Sequence, residues 1–295
     1  MLIILALLAC KDSRTTDGLN RIISFKTQKV GVITDRRIAE MSGIAASRRS
    51  PGVLWVINDS GDDARVYAID EHGTLLSSTK VNGAENLDWE DIASFEKDGK
   101  SYLLIADIGN NTVYRDIFTL YVIEEPGLGF PTSDIVWQIQ FQYENGPRDT
   151  EAVAVDLLHE TILLLSKRDV PAVLYELPLK PAQGVLSARR LGDVTSIPQP
   201  KRAEIKTALD YYHAQPTAMD MTPDGARLAI LTYRRLFIYD LHPDKTIIES
   251  LNQKPQQFEF PTLAQPEALC FSMDQNALFI TTENVPAPLL RITVE

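Results

Sequence analysis

A chain of 295 residues with 44% hydrophobic and 23% charged side chains has ordinary globular composition and can bury a sizeable core, which excludes a disordered protein. Its 40 acidic and 29 basic residues give a formal net charge of −11, which repels phosphate backbones and excludes nucleic acid as a partner. Two cysteines, Cys10 and Cys270, cannot build a disulfide framework or a thiolate metal cage, so any chemistry falls to oxygen and nitrogen side chains.

From the N-terminus, the apolar run Leu2 to Leu8 ends at Ala9-Cys10, and Lys11 to Gly18 is wholly polar. The run is too short to cross a bilayer, which takes about 20 residues, but it suits the apolar region of a secretory signal. Leu7-Leu8-Ala9-Cys10 resembles the bacterial lipobox, which implies that Cys10 is lipid-modified and becomes the new N-terminus. The pattern departs from a full signal in having no Lys or Arg before the apolar run, and an ordinary chain terminus is the alternative. Acyl chains contribute about 0.8 kcal/mol per buried CH₂, so several on one cysteine would hold a domain at a membrane surface.

Further along, one pattern recurs five times: a polar residue opening an apolar strand, a strongly hydrophobic strand ending in polar residues, then a strand with an aromatic or branched apolar face. The first copy runs from Ser42-Gly43-Ile44-Ala45 through Val53 to Asp59 and Val66 to Asp70. The second opens at Glu90 with strands at Tyr102 to Asp107 and Thr119 to Ile123; the third opens at Glu151 with strands at Ile162 to Arg168 and Val173 to Leu177. The fourth opens at Thr217 with strands at Leu228 to Tyr233 and Leu236 to Tyr239; the fifth opens at Glu267 with strands at Leu278 to Glu283 and Leu289 to Ile292. The openings are spaced by 48, 61, 66 and 50 residues, near the roughly 40 to 50 expected of propeller blades with loops.

A fourth, outer strand is predicted after four of the copies, at Leu75 to Val81, Ile135 to Phe141, Ala188 to Val194 and Gln256 to Phe260. The fifth copy leaves no room for one before Glu295, and Lys29 to Ile33 can supply it and close the ring. The expected fold is therefore all-β: a β-propeller of four-stranded antiparallel blades, five favoured and six the alternative. A degenerate sixth blade, or a short amphipathic helix at Ala203 to Tyr212, would lie in the segment from Pro198 to Gln215. The domains are then a lipoprotein signal at 1–9, a flexible tether at 10–28 and one propeller at 29–295.

First strands of propeller blades line the central channel, so Ser42, Glu90, Glu151, Thr217 and Glu267 are expected around one axis. Three carboxylates in a narrow channel disfavour one another's charge unless a cation compensates. Calcium, which takes six to eight oxygen ligands, would do so. The other reading is cohesive, with these glutamates accepting from backbone N–H groups of neighbouring blades. A second ring comprises the ends of the second strands: Asn58 and Asp59, Asp107, Lys167 and Arg168, Thr232 and Tyr233, and Thr282 and Glu283, with Arg234 nearby. Such a mouth suits a phosphate or carboxylate held by Lys or Arg beside a metal, or else a set of inter-blade salt bridges. Asn58 to Asp63 reads as a turn, because it lacks the EF-hand spacing. The four histidines have no metal-ligand spacing, no nucleophile elbow, P-loop or dinucleotide fingerprint occurs, and Cys270 reads as a buried structural thiol.

The segments Ser42 to Ala45, Leu54 to Asp62, Gly83 to Ala93, Ala106 to Asn111 and Asp149 to Asp156 resemble a group of bacterial propeller proteins, often lipoproteins, related in pattern to β-propeller phytases and calcium-dependent phosphotriesterase-like propellers. The resemblance runs from about residue 38 to the end and implies calcium in the channel with hydrolysis of phosphate esters by metal-activated water. The chain departs from the phytase pattern at Ser166-Lys167-Arg168, where a phytase blade carries acidic calcium ligands.

The expectation is a monomeric propeller, lipid-anchored outside the cytoplasm at the periplasmic or outer-membrane face, that binds a small anionic ligand at its channel mouth. As an enzyme it would use Glu90, Glu151 and Glu267 catalytically. Calcium would sit on those glutamates with Asp59 and Asp107, and the ligand on Asn58, Lys167, Arg168, Tyr233, Arg234 and Glu283. The alternative is a scaffold that binds a ligand or an envelope protein without turnover.

Overall fold

The computed structural model describes residues 25–294, apart from 182, 204, 206, 208, 209, 211, 261 and 262. The signal segment, Cys10 and most of the tether lie outside the described residues, as does part of the helix expected at 203–212. No helix among the described residues is long and apolar enough to cross a membrane.

The described chain is built of twenty strands that pair as four-stranded antiparallel meanders. After β1 (Phe25–Ile33) come β2 (Met41–Ala46), β3 (Val53–Asn58), β4 (Arg65–Asp70) and β5 (Leu75–Asn82), then β6 (Trp89–Lys97), β7 (Lys100–Asp107), β8 (Phe118–Glu124) and β9 (Thr132–Tyr143). The third set is β10 (Thr150–Asp156), β11 (Thr161–Ser166), β12 (Ala172–Pro178) and β13 (Val185–Val194). The fourth is β14 (Pro216–Met221), β15 (Arg227–Thr232), β16 (Arg235–Asp240) and β17 (Gln256–Glu259), and β18 (Pro266–Phe271), β19 (Ala277–Thr282) and β20 (Ala287–Val294) follow. The inner strands β2, β6, β10, β14 and β18 neighbour one another in a closed ring, which makes the molecule an all-β propeller. Among the described residues of 198–215 there is no strand.

Side-chain alternation explains the composition of the strands. Ile162 and Leu164 pack toward the β6–β9 meander while Leu163 and Leu165 pack toward the β14–β17 meander. Both faces of a blade are thus buried, so its middle strands read as unbroken apolar runs rather than as a polar–apolar alternation. Five hydrophobic clusters result, one between each pair of neighbouring meanders.

The ring closes through the N-terminal strand. β1 pairs antiparallel with β20, from Phe25 opposite Val294 to Ile33 opposite Ala287. It also presses on the first meander: a Cβ on Gly31 would lie 1.9 Å from the His72 carbonyl oxygen, so only glycine allows this approach. The outer strand β9 is longer than the sequence pattern indicates, because its ends pair in parallel with β5 and with β13. It joins three blades into one continuous sheet.

Candidate active site at the channel mouth

Each inner strand carries a β-bulge at the same place. The registers shift between Met41 and Gly43, Trp89 and Asp91, Thr150 and Ala152, Pro216 and Ala218, and Pro266 and Ala268. The extra residues are Ser42, Glu90, Glu151, Thr217 and Glu267, the five positions that the repeats single out. A bulge re-aims a side chain that regular pleating would send into an inter-blade core. All five are buried. The two hydroxyls serve cohesion: Ser42 Oγ donates to Trp89 O at 2.8 Å and Thr217 Oγ1 to Pro266 O at 2.8 Å.

Among the described residues, the three glutamates do not bond backbone N–H groups of neighbouring blades. That cohesive role falls to two aspartates deeper in the channel. Asp91 Oδ2 accepts from Val153 N at 2.8 Å and Met219 N at 3.3 Å, and Asp220 Oδ2 accepts from Phe271 N at 2.8 Å. Asp91 is fully buried, and burial lifts its carboxyl well above the ordinary range despite the N–H donors.

Glu90 meets two further carboxylates. One oxygen from each of Asp59, Asp88 and Glu90 lies within 4.8 Å of the others. Glu90 Oε1 is buried without a hydrogen-bond partner, an expensive state for a carboxylate oxygen. Burial, then the charges of Glu151, Asp59 and Asp88, push the Glu90 carboxyl far up. Asp88 is raised to about 7 by burial and by Asp59. Gly109 makes room for the group, since a Cβ there would stand 2.1 Å from Glu90 Oε1 and 2.5 Å from Asp88 Oδ2.

Opposite this triad stands a mixed cluster. Lys167 Nζ pairs with Glu151 Oε1, lies 4.0 Å from Glu267 Oε1 and sits 5.2 Å from the centre of the Tyr233 ring. Tyr233 OH donates to Glu267 Oε1 at 2.7 Å. Burial alone would lower the lysine, but Glu151, Tyr233 and Glu267 outweigh it and hold the ammonium above its usual range. Burial lifts Glu151 to about 8 and, together with a hydrogen bond to Glu267, lifts Glu283 to about 9. With several carboxyls around one ammonium, Lys167 keeps its proton and the acids share the rest.

Other predicted residues are placed differently. Asp107, expected to hold metal, is buried against Arg115 at 2.8 Å and accepts from Leu87 N and Asp88 N at 3.4 and 3.2 Å. It braces the 86–89 loop from behind, and Ile108 follows it at the position that Asp59, Lys167, Tyr233 and Glu283 hold in the other blades. Arg234 pairs with Glu259 at 2.8 Å on the exposed outer side and does not reach the channel. Arg168 pairs with Asp149 and bonds Asn111. Asn58 Nδ2 donates to Arg37 O at 2.8 Å and Asp62 Oδ2 at 2.7 Å, while its Oδ1 is buried and unpartnered. Lys167 and Arg168, expected to bind an anion, are thus already committed to carboxylates.

Sequence reasoning missed Asp88 as a site residue. It lies two residues before the opening Glu90, as Asp149 lies two before Glu151, and that repeated spacing was the available signal.

No family model matches this chain. No curated protein matches it either. Among solved structures, it is similar to Kuenenia stuttgartiensis hydrazine synthase at 14% identity over 84% of this chain and 82% of that one, with a TM-score of 0.45. It is similar to a luciferin-regenerating enzyme at 10% identity over 92% and 97%, TM-score 0.49, and to XC5397 of Xanthomonas campestris, a gluconolactonase, at 11% over 91% and 95%, TM-score 0.48. At these identities and scores no function is carried across to this chain.

Proposed function

We propose that the channel mouth holds a divalent cation, calcium by preference, on Asp59, Asp88 and Glu90, and that the protein uses it to bind and hydrolyse a small oxygen-rich ester. The observation that carries this reading is the carboxylate triad, with Asp88 and Glu90 buried, Asp59 partly exposed and one Glu90 oxygen unpartnered. Its donors are all hard oxygens, the set that calcium, magnesium and manganese select. Oxygens this close can all lie within about 2.3–2.6 Å of one ion. When bound, such an ion polarises an ester or phosphoryl oxygen and acidifies a water.

The chain supplies the rest. Glu151, the strongest charge acting on Glu90 and poised near 8, is placed to take up or return a proton near neutral pH. Lys167 holds Glu151 in position and keeps the mouth from being uniformly anionic.

Calorimetric titration of the chelator-stripped protein tests the cation. Micromolar, stoichiometric calcium binding that is lost in Asp88→Asn supports the reading; no binding at millimolar calcium overturns it. For turnover, a panel of phosphate and carboxylate esters is assayed with wild type and Glu151→Gln. The variant should bind calcium but hydrolyse nothing, and wild-type turnover in it removes Glu151 from the mechanism.

Cys10 is proposed as the lipid anchor, on the strength of the Leu7-Leu8-Ala9-Cys10 pattern. Fatty-acid labelling in cells should mark the full chain and be abolished by Cys10→Ser; equal labelling of both excludes this cysteine.

A further inference from the structure

The basic side chains predicted to grip an anion are paired, yet a second set lines a cleft beside the 58–63 turn. A cavity of about 640 Å³ opens between the 34–40 connection and the 58–63 turn, within the roughly 300–1,000 Å³ typical of small-molecule sites. Asn58 and Ser60 line it, and Asp59 of the triad stands between them in sequence. Asn86 Nδ2 locks this wall by donating to Asn58 O at 3.1 Å and Asp59 O at 2.8 Å.

Arg36, Arg37 and Arg65 line the same cavity. Arg37 folds back on Asp35 at 2.6 Å. Arg36 makes no ion pair among the described residues, and Arg65 spends one terminal nitrogen on Ser78 Oγ at 3.2 Å, with Asp63 more distant at 3.6 Å. Of the carboxylates at the cavity, Asp62 is occupied by Tyr67 OH at 2.8 Å and by Asn58, while Glu40 stands exposed. Asn58, itself nine-tenths buried, keeps its Oδ1 without a donor. One wall therefore offers guanidinium donors and another a buried acceptor that wants a hydroxyl or amide N–H, and the 58–60 segment joins the cleft to Asp59 of the triad.

We infer that this cleft is the anion-recognising half of the ligand site. It takes a small hydroxylated organic anion, with its carboxylate or phosphate on Arg36 and Arg65, a hydroxyl on Asn58 Oδ1, and its remaining oxygens toward the cation. Guanidinium groups bind both kinds of anion through paired N–H donors. The inference deepens the proposed function and rests on the cation reading only for the contact with the cation.

The test is calorimetry with galacturonate, glucose 6-phosphate and neutral glucose, on calcium-loaded and on chelator-stripped protein, using wild type and the double variant Arg36→Met/Arg65→Met. At least one anion should bind wild type and glucose should not, and the double variant should lose about tenfold or more in affinity with its melting temperature and calcium binding unchanged. Which anion binds tells a carboxylate ligand from a phosphate one. If calcium fails to bind but the anion still does, and depends on the two arginines, the cleft stands and the cation reading falls. Absence of anion binding at millimolar concentration, equal binding by the double variant, or equal binding of glucose overturns the cleft.

Discussion

At Glu90, burial and charge pull against each other. The side chain is buried beside Asp59 and Asp88, and without a cation the cheapest state is protonated. Glu90→Gln keeps the shape and removes the charge conflict. The variant should melt at or above the wild-type temperature in chelator and show none of the calcium stabilisation that the proposed site predicts for wild type, as differential scanning calorimetry would register. Gly109→Ala tests the same packing from the other side. Its methyl group would collide with Glu90 Oε1 and Asp88 Oδ2, and overpacking of this kind costs about 1–3 kcal/mol. A lower urea midpoint together with weakened calcium binding is the expected result. Glu90, Glu151 and Glu267 were legible because each opens a repeat. Asp107 misled because it ends the same apolar run as its counterparts, yet its pairing opposite Trp89 leaves the mouth position to Ile108. Asp107 is thus the equivalent of Asn58, Ser166, Thr232 and Thr282, and which residue at the end of the run reaches the mouth is set by strand pairing, which apolar patterning alone does not reveal.

Among the elements, the inner strands combine two tasks that their sequences carry in adjacent positions. Glu90 bulges toward the mouth, and Asp91 next to it ties β6 to β10 and β14 through Val153 N and Met219 N. Replacing Asp91 with Ala would strand those two buried donors at about 1–3 kcal/mol each. Asp91→Asn, which keeps an acceptor oxygen, should recover part of the loss, and urea unfolding of the two variants measures the difference. No sequence pattern separates the cohesive aspartate from the glutamate at the mouth, since both are buried acids in one strand. Only their different partners divide the roles. The outer strand β9 shows the same limit: Ile135 to Phe141 was legible from its apolar content, but its extension to Thr132–Tyr143 depends on parallel partners about 50 residues away in the chain.

Taken whole, the ring is closed by a strand from the opposite end of the chain. Deleting residues 25–33 would expose the β20 edge and uncover the β4–β5 turn beneath Gly31. An open edge of that kind invites association, so the truncated protein should melt at lower temperature and aggregate in light scattering, and unaggregated, wild-type-like behaviour would deny β1 its closing role. Proton linkage also acts at this scale. Asp88 at about 7, Glu151 at about 8 and Glu283 at about 9 lie above the ordinary carboxylate range, so the folded metal-free protein retains protons that the unfolded chain gives up. Its stability is then fullest below about pH 4 to 4.5 with respect to these groups and declines as pH rises toward 9. Urea midpoints in chelator should fall from pH 5 to pH 9, and saturating calcium should flatten that decline.

The sequence by itself determined the all-β class, the repeat phase and the five opening positions, because strand burial on both faces and turn chemistry are local properties written into each copy. Tertiary structure decided which of the acids cluster, which are spent on backbone donors and which bases remain open to a ligand. Asp88 joins Asp59 and Glu90, Asp107 turns to Arg115, Arg168 pairs with Asp149 and Arg234 with Glu259, while Arg36 and Arg65 line the cleft beside Asn58. Such choices depend on distances between residues far apart in the chain, and electrostatic partnership is set by those distances and by burial, neither of which a linear pattern contains.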